Sequence, residues 1–221
     1  MSDTDPRPRP VARGFSTRAI RVASRAPQVD QTPTSVPIYQ TATFASADTE
    51  ELGRVVGDGR AGYAYSRISN PTTAALGSAY AELAGGEAGV ALASGMAAIH
   101  AALASLVRSG DRIVAPFAVY GSTRAQMIRV FGGFGVEIEI VDTSDLDAVD
   151  AALRARPTRV LYAETIANPT THVADHAALA DLAHRHGATY VVDNTFASPY
   201  VCRPLDLGAD LVVESATKFL G

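Results

Sequence analysis

From residue 70 onward, short apolar runs take turns with longer segments of helical period, and this alternation decides what the chain can fold into. The runs at 88–93 (AGVALA), 112–116 (RIVAP), 136–142 (VEIEIVD), 159–164 (RVLYAE), 189–194 (TYVVDN) and 210–215 (DLVVES) read as strands. Helices are predicted at 95–108, around 122–131, at 145–155 and at 175–186. A further helix opens the series: Asn70 is placed to cap it, Pro71 suits its first position, and Gly85-Gly86 ends it. Short apolar strands separated by single helices predict a mostly parallel sheet covered on both faces, a three-layer α/β architecture. Before residue 70 the pattern is weak. Residues 1–15 read as unstructured, 25–45 as a proline-bearing extended arm, and 46–56 as a short helix.

Length and charge narrow the setting. The 221 residues suffice for one large domain or two small ones. A net charge of −4 with 47% apolar residues gives no reason to expect nucleic acid or an anionic membrane as partner. No apolar run is long enough to span a bilayer, and the first residues have no apolar stretch behind their arginines to make a secretory signal. Cys202 is the single cysteine, so no internal disulfide forms, and a reducing, cytoplasmic setting is expected.

In sheets of this kind ligands gather beyond the carboxyl ends of the strands, and the chemistry-bearing residues fall there. Of the 19 basic residues only Lys218 is a lysine. Arginine can replace lysine at most surface positions but cannot form an imine, because guanidinium does not give up its proton. Lys218 is therefore a candidate imine-forming residue, although an ordinary surface lysine would look the same in isolation. Ser94-Gly95 follows one strand and opens a helix, a place where free backbone N–H groups attract an anion, commonly phosphate. Asp193 closes an apolar strand, where a carboxylate is costly unless paired; it reads either as a turn residue or as the partner of a buried cationic ring nitrogen. Ser215 and Thr217 put two hydroxyls beside the lysine. A phosphate site, a carboxylate and an imine-capable amine together describe pyridoxal 5′-phosphate.

At this point the chain resembles a known family, the trans-sulfuration (Cys/Met metabolism) enzymes that use pyridoxal phosphate. The resemblance runs from about Thr17 to Gly221. It rests on PIYQTATF, YAYSRISNPT, ASGMAAI, VYGST, ETIANPT, VVDNTF and SATKFLG, in that order. It implies the large domain of the fold type I, aspartate aminotransferase-like enzymes, with an N-terminal arm over 1–60 (1–15 disordered) and a cofactor-binding domain over 61–221. It also implies roles. Lys218 would carry the cofactor and Asp193 would pair with its ring nitrogen. Ser94, Gly95 and Met96, with Ser215 and Thr217, would hold the phosphate. Tyr120 would stack on the ring and help move protons at the leaving group, Asn168 would lie near the ring hydroxyl, and Thr195 would pack against the ring. Tyr65 and Arg67 would reach the phosphate of a neighbouring subunit, which makes a homodimer or homotetramer the expected assembly.

The implied reaction is γ-elimination or γ-replacement on cystathionine, methionine or an activated homoserine ester, making or breaking a C–S bond. Lys218 would take the Cα proton. Homoserine-ester sulfhydrylase activity and a catalytically inactive remnant are the competing readings. A nucleotide-binding module is disfavoured, since no G-x-G-x-x-G turn follows the first strand. Several positions depart from the family pattern. Ile166 stands where proline is common and Ser69 where glycine is common. Ser122 stands where methionine γ-lyases have cysteine, which weighs against that subtype. Glu214 stands where histidine is usual, and it is expected to point outward. The family continues past its lysine into the rest of the cofactor domain and a C-terminal domain carrying a substrate-binding arginine, and nothing in these residues matches that part. The sheet is therefore expected to be incomplete, and this stretch taken alone to fold poorly and to be weakly active or inactive.

Overall fold

The structure is a computed structural model and describes residues 32–57 and 62–220. The chain divides into two compact units, Met1–Pro37 and Ile38–Gly221. Of the first, only 32–37 are described, and they form neither helix nor strand. The reading of 1–15 as unstructured lies outside the described residues.

The second unit is built on five parallel strands. In chain order the elements are α1 (Thr49–Gly57), α2 (Pro71–Ala84), α3 (Gly95–Leu106), β1 (Arg112–Pro116), α4 (Gly121–Gln126), β2 (Glu137–Val141), α5 (Leu146–Ala155), β3 (Val160–Glu164), α6 (His176–Arg185), β4 (Thr189–Asp193), α7 (Ser198–Val201) and β5 (Leu211–Val213). The strand order is β2-β1-β3-β4-β5, with every pair parallel. The chain moves from β1 to β2 on one side and then returns to place β3 on the other. The order thus reverses between β1 and β3, and ligands of such sheets sit beyond the strand ends at that reversal.

Both faces are covered, which explains why the strands read as continuous apolar runs. Ile113, Ala115, Val160, Tyr162, Val191 and Val213 point to one face and pack with Ile99 and Leu103 of α3 and with Met127 and Phe131. Val114, Leu161, Ala163, Tyr190 and Val192 point to the other and pack with Val149 and Leu153 of α5 and Leu179 and Ala183 of α6. Side-chain oxygens cap five of the helices: Asp48 accepts from Glu51 N, Asn70 from Thr72 N, Ser94 from Ala97 N, Asp145 from Ala148 N and Asp175 from Ala178 N. Each such cap stabilises by about 1 kcal/mol. Gly85 ends α2 in the left-handed conformation, φ 78°, where a side chain would be strained.

Two elements differ from the sequence expectation. The run 88–93 is not a strand. A strand exists by virtue of its ladder, and this segment has none among the described residues: Val90 and Leu92 are 81% and 43% exposed. The helix predicted around 122–131 is α-helical only to Gln126. It then widens into a π-helical turn, Met127–Phe131, with both Met127 and Phe131 set into the core. Among the described residues no helix is long and apolar enough to cross a membrane.

Candidate active site

A cavity of about 270 Å³ opens at the carboxyl ends of the strands. Ten of the twelve residues singled out in the sequence line it: Ser94, Gly95, Met96, Tyr120, Asn168, Asp193, Thr195, Ser215, Thr217 and Lys218. Tyr65 and Arg67 do not. They lie together elsewhere, with the Arg67 guanidinium 5.2 Å from the centre of the Tyr65 ring.

The floor of the cavity is the start of α3. Ser94 is extended, its Oγ accepts from Ala97 N at 3.1 Å, and its carbonyl accepts from Ala98 N at 3.0 Å. The N–H groups of Gly95 and Met96, in the first turn, have no intrahelical carbonyl to bond, and a helix start with free donors favours an anion. Gly95 is there for space. A Cβ on it would come within 2.7 Å of the Ser215 Cβ, so only glycine lets the exit of β5 approach the helix so closely.

Two carboxylates close the strands behind this floor. Asp193 ends β4 and is buried. Its Oδ1 accepts from Thr195 N at 2.9 Å and its Oδ2 from the Tyr162 hydroxyl at 3.4 Å. Burial nevertheless pushes its carboxyl above the ordinary range, against the donors of Thr195 and Tyr162. Glu164 ends β3, in register with Asp193. Its Oε1 accepts from Tyr120 N at 2.7 Å and its Oε2 from Asn168 N at 3.1 Å. One carboxylate thus ties the turn after β1 and the loop after β3 to the strand end, at the reversal of the sheet. Burial raises it to about 7 against those two donors. Sequence reasoning quoted Glu164 within a motif and gave it no role. The available signal was a carboxylate closing a buried strand, the same signal that singled out Asp193.

The fourth wall is the exit of β5. Thr195 Oγ1 accepts from Ser215 N at 3.0 Å, and Ser215 O accepts from Lys218 N at 3.1 Å. This turn delivers the Lys218 side chain, itself exposed, to the cavity. Glu214 does not reach solvent as expected. It borders the cavity, and both carboxylate oxygens are buried without a hydrogen-bond partner among the described residues. The strand ends at Val213, so the pleat no longer decides where the next side chain goes, and Glu214 turns in beside Tyr80 of α2. Burial raises its carboxyl to about 7, reinforced by the charge of Asp193.

Comparisons with known proteins give the family. Residues 16–221 match the family described as Cys/Met metabolism PLP-dependent enzyme. The chain belongs to that family. It is 49% identical over 207 residues to the L-methionine gamma-lyase of Pseudomonas putida, covering 94% of this chain and 52% of that protein. It is 44% identical over 187 residues to the cystathionine gamma-lyase of Bacillus subtilis, covering 85% and 47%. Among solved structures, metB from Corynebacterium glutamicum superposes with a TM-score of 0.80 at 40% identity, covering 94% of this chain and 52% of that one. The chain spans about half the length of the curated relatives it matches.

Pyridoxal 5′-phosphate is the cofactor of this family, and the residues present fit it. Two free N–H groups and the hydroxyls of Ser215 and Thr217 offer donors to a phosphate. Asp193 offers a buried carboxylate to a ring nitrogen, and Lys218 offers the one primary side-chain amine.

Proposed function

We propose that this chain is the cofactor-binding part of an enzyme that makes or breaks C–S bonds by γ-elimination or γ-replacement, acting on cystathionine, methionine or an activated homoserine ester. The observation that carries this reading is the convergence of Lys218, Asp193 and the start of α3 on one cavity. When bound, the cofactor supplies an electron sink that makes the substrate Cα–H acidic. The protein's part is to hold and move protons. Asp193, buried at the end of β4, would keep a proton on the ring nitrogen. Lys218 would hold the cofactor through its aldehyde, and its amine would take the proton from the substrate Cα. Tyr120, half-exposed at the cavity mouth, passes a proton at the leaving group. Glu164 fixes the Tyr120 turn through its main chain. Glu214, raised to about 7 by burial, is largely protonated below that pH and adds little negative charge beside the phosphate donors.

The remaining roles belong to the same proposal. Asn168 lies near the ring hydroxyl and Thr195 packs on the ring. Tyr65 and Arg67, outside this cavity, complete the site of a second copy in a homodimer or homotetramer. Residues 1–60 form the arm, residues 61–221 the cofactor domain, and the setting is cytoplasmic. The Ser122 position weighs against a methionine γ-lyase, whereas several of the most similar relatives carry that name; the general reaction class accommodates both.

The test is chemical labelling of the full-length protein. After loading with pyridoxal 5′-phosphate and reduction with borohydride, digestion and mass spectrometry place a pyridoxyl group on the Lys218 peptide. Lys218→Ala abolishes both the label and turnover. A label on another residue, or one that survives Lys218→Ala, overturns the proposal.

A further inference from the structure

On the face of the sheet away from the cavity, four side chains form a buried chain of hydrogen bonds that the reaction does not use. His176 Nδ1 lies 2.7 Å from the Tyr190 hydroxyl, and His176 Nε2 lies 2.9 Å from Thr165 Oγ1. Thr165 Oγ1 donates to Asn194 Oδ1 at 2.7 Å, and Asn194 Nδ2 donates to the carbonyl of Cys202 at 3.0 Å.

The polarity of this chain follows from its far end. The Cys202 carbonyl can only accept, so the Asn194 amide nitrogen faces it and Asn194 Oδ1 faces Thr165. The single hydroxyl proton of Thr165 is then committed to Asn194, and Thr165 Oγ1 must accept from His176 Nε2–H. With Nε2 protonated, a neutral ring leaves Nδ1 as an acceptor, filled by the Tyr190 hydroxyl. Every proton has one place. Protonating Nδ1 would set a second donor against Tyr190 and strand the phenol hydrogen in a fully buried position. The ring is 3% exposed. Its surroundings hold Tyr190 from β4, Thr165 from the β3 exit and the carboxylate of Asp175 on its own helix. Burial outweighs Asp175 and lowers the imidazole from its ordinary value.

The members of this chain are the immediate neighbours of the cavity carboxylates. Thr165 follows Glu164, and Asn194 stands between Asp193 and Thr195. Hydrogen bonds hold Thr165 and Asn194 on the side of His176, while Glu164 and Asp193, the last residues of β3 and β4, face the cavity. The backbone continues the pairing there: Thr165 N donates to Asp193 O at 3.0 Å and Asn194 N to Val213 O at 2.9 Å.

We infer that His176 is a positioning residue: as the neutral Nε2–H tautomer it completes a one-way hydrogen-bond chain from Tyr190 to Cys202 that locks the exits of β3 and β4, and so aims Glu164 and Asp193 into the cavity. The role of the aimed carboxylates rests on the proposed function; the lock itself does not.

The experiment uses the full-length protein labelled at histidine and glutamate side chains, with Thr165→Val to cut the chain at constant volume and Thr165→Ser to keep it. Nitrogen NMR of the wild-type imidazole shows the neutral Nε2–H form at neutral pH. In Thr165→Val the Nε2–H loses its acceptor, the tautomers mix, and the Glu164 carboxyl titrates closer to its ordinary range. Thr165→Ser keeps the wild-type tautomer and the wild-type titration. Affinity for pyridoxal 5′-phosphate, followed by visible absorbance, falls about tenfold in the valine variant and stays near wild type in the serine variant. A wild-type Nδ1–H tautomer, or an imidazolium at neutral pH, overturns the inference, as does a valine variant in which Glu164 titrates unchanged. If no form of the protein takes up the cofactor, the proposed function fails, while the tautomer and the carboxyl titration still decide the role of His176.

Discussion

The Glu164 carboxyl offers the clearest thermodynamic test of the site. In the folded protein it titrates at about 7, against an ordinary 4.5, because burial outweighs the N–H donors of Tyr120 and Asn168. A carboxyl whose folded value is raised gives its proton up more readily in the unfolded chain. Its contribution to stability is therefore complete below about 4.5 and is lost as pH rises through about 7. Each unit corresponds to about 1.4 kcal/mol. Of the full difference of about 3 kcal/mol, about 2–3 kcal/mol falls between pH 5 and pH 8. Glu164→Gln has the same shape and does not titrate. It also has only one oxygen for two N–H donors, a loss of about 1–3 kcal/mol that does not depend on pH. Urea unfolding of the cofactor-free protein at both pH values gives four stabilities. Wild type loses about 2–3 kcal/mol more than Glu164→Gln on going from pH 5 to pH 8, whatever the offset between them, and the titrations of Asp193 and Glu214 largely cancel. Equal losses, within about 0.5 kcal/mol, would refute the reasoning. A variant that loses more than wild type would mean that Tyr120 and Asn168 hold the carboxylate in its charged form, and that burial is the lesser effect.

Two further substitutions probe the walls of the cavity. Gly95→Ala sets a methyl 2.7 Å from the Ser215 Cβ and 3.1 Å from its Cα, so the β5 exit must move away from α3. Affinity for pyridoxal 5′-phosphate, measured by absorbance titration, falls tenfold or more, roughly 1.4 kcal/mol, and an unchanged affinity would remove the α3 start from the phosphate site. Glu214→Gln replaces a carboxyl raised to about 7 by burial and without a hydrogen-bond partner among the described residues. By the same sign argument the variant gains thermal stability over wild type at pH 8 and shows little gain at pH 5; a gain of equal size at both would mean that charge is not the cause.

Much of this molecule was legible because its local and global signals agree. β1, β3 and β4 are apolar runs buried on both sides, β2 alternates glutamate with isoleucine, and α3, α5 and α6 carry their own caps, so the pattern of the sequence located them. The run at 88–93 has the composition of a strand and lacks the neighbour that would make it one. Apolar character belongs to the sequence, whereas a ladder belongs to a pair, and no described segment supplies the other half. Glu164 shows the same limit in the site. Its two oxygens meet the N–H groups of Tyr120, 44 residues upstream, and of Asn168, 4 residues downstream. Only the fold brings the first of these to it. For Glu214 the expectation failed because the pairing stops at Val213, and nothing in the strand fixes the direction of the next side chain.

The two faces of the strand exits divide the work. Tyr162, Glu164, Asp193 and Thr195 share the side of the cavity, and Thr165, Tyr190 and Asn194 share the side of His176. A shift of one residue in β4 would exchange Asp193 for Asn194 at the cavity and set a carboxylate against the Thr165 hydroxyl and the Cys202 carbonyl, the latter unable to donate to it. Apolar packing alone would resist that slip weakly, because β4 is apolar on both faces and Val191 and Val192 could trade places at little cost. The polar residues at the exit make the two registers unequal. In a strand whose core residues are nearly interchangeable, discrimination between faces falls to Tyr190, Asn194 and the His176–Thr165 pair that joins them, and the orientation of Asp193 follows from theirs.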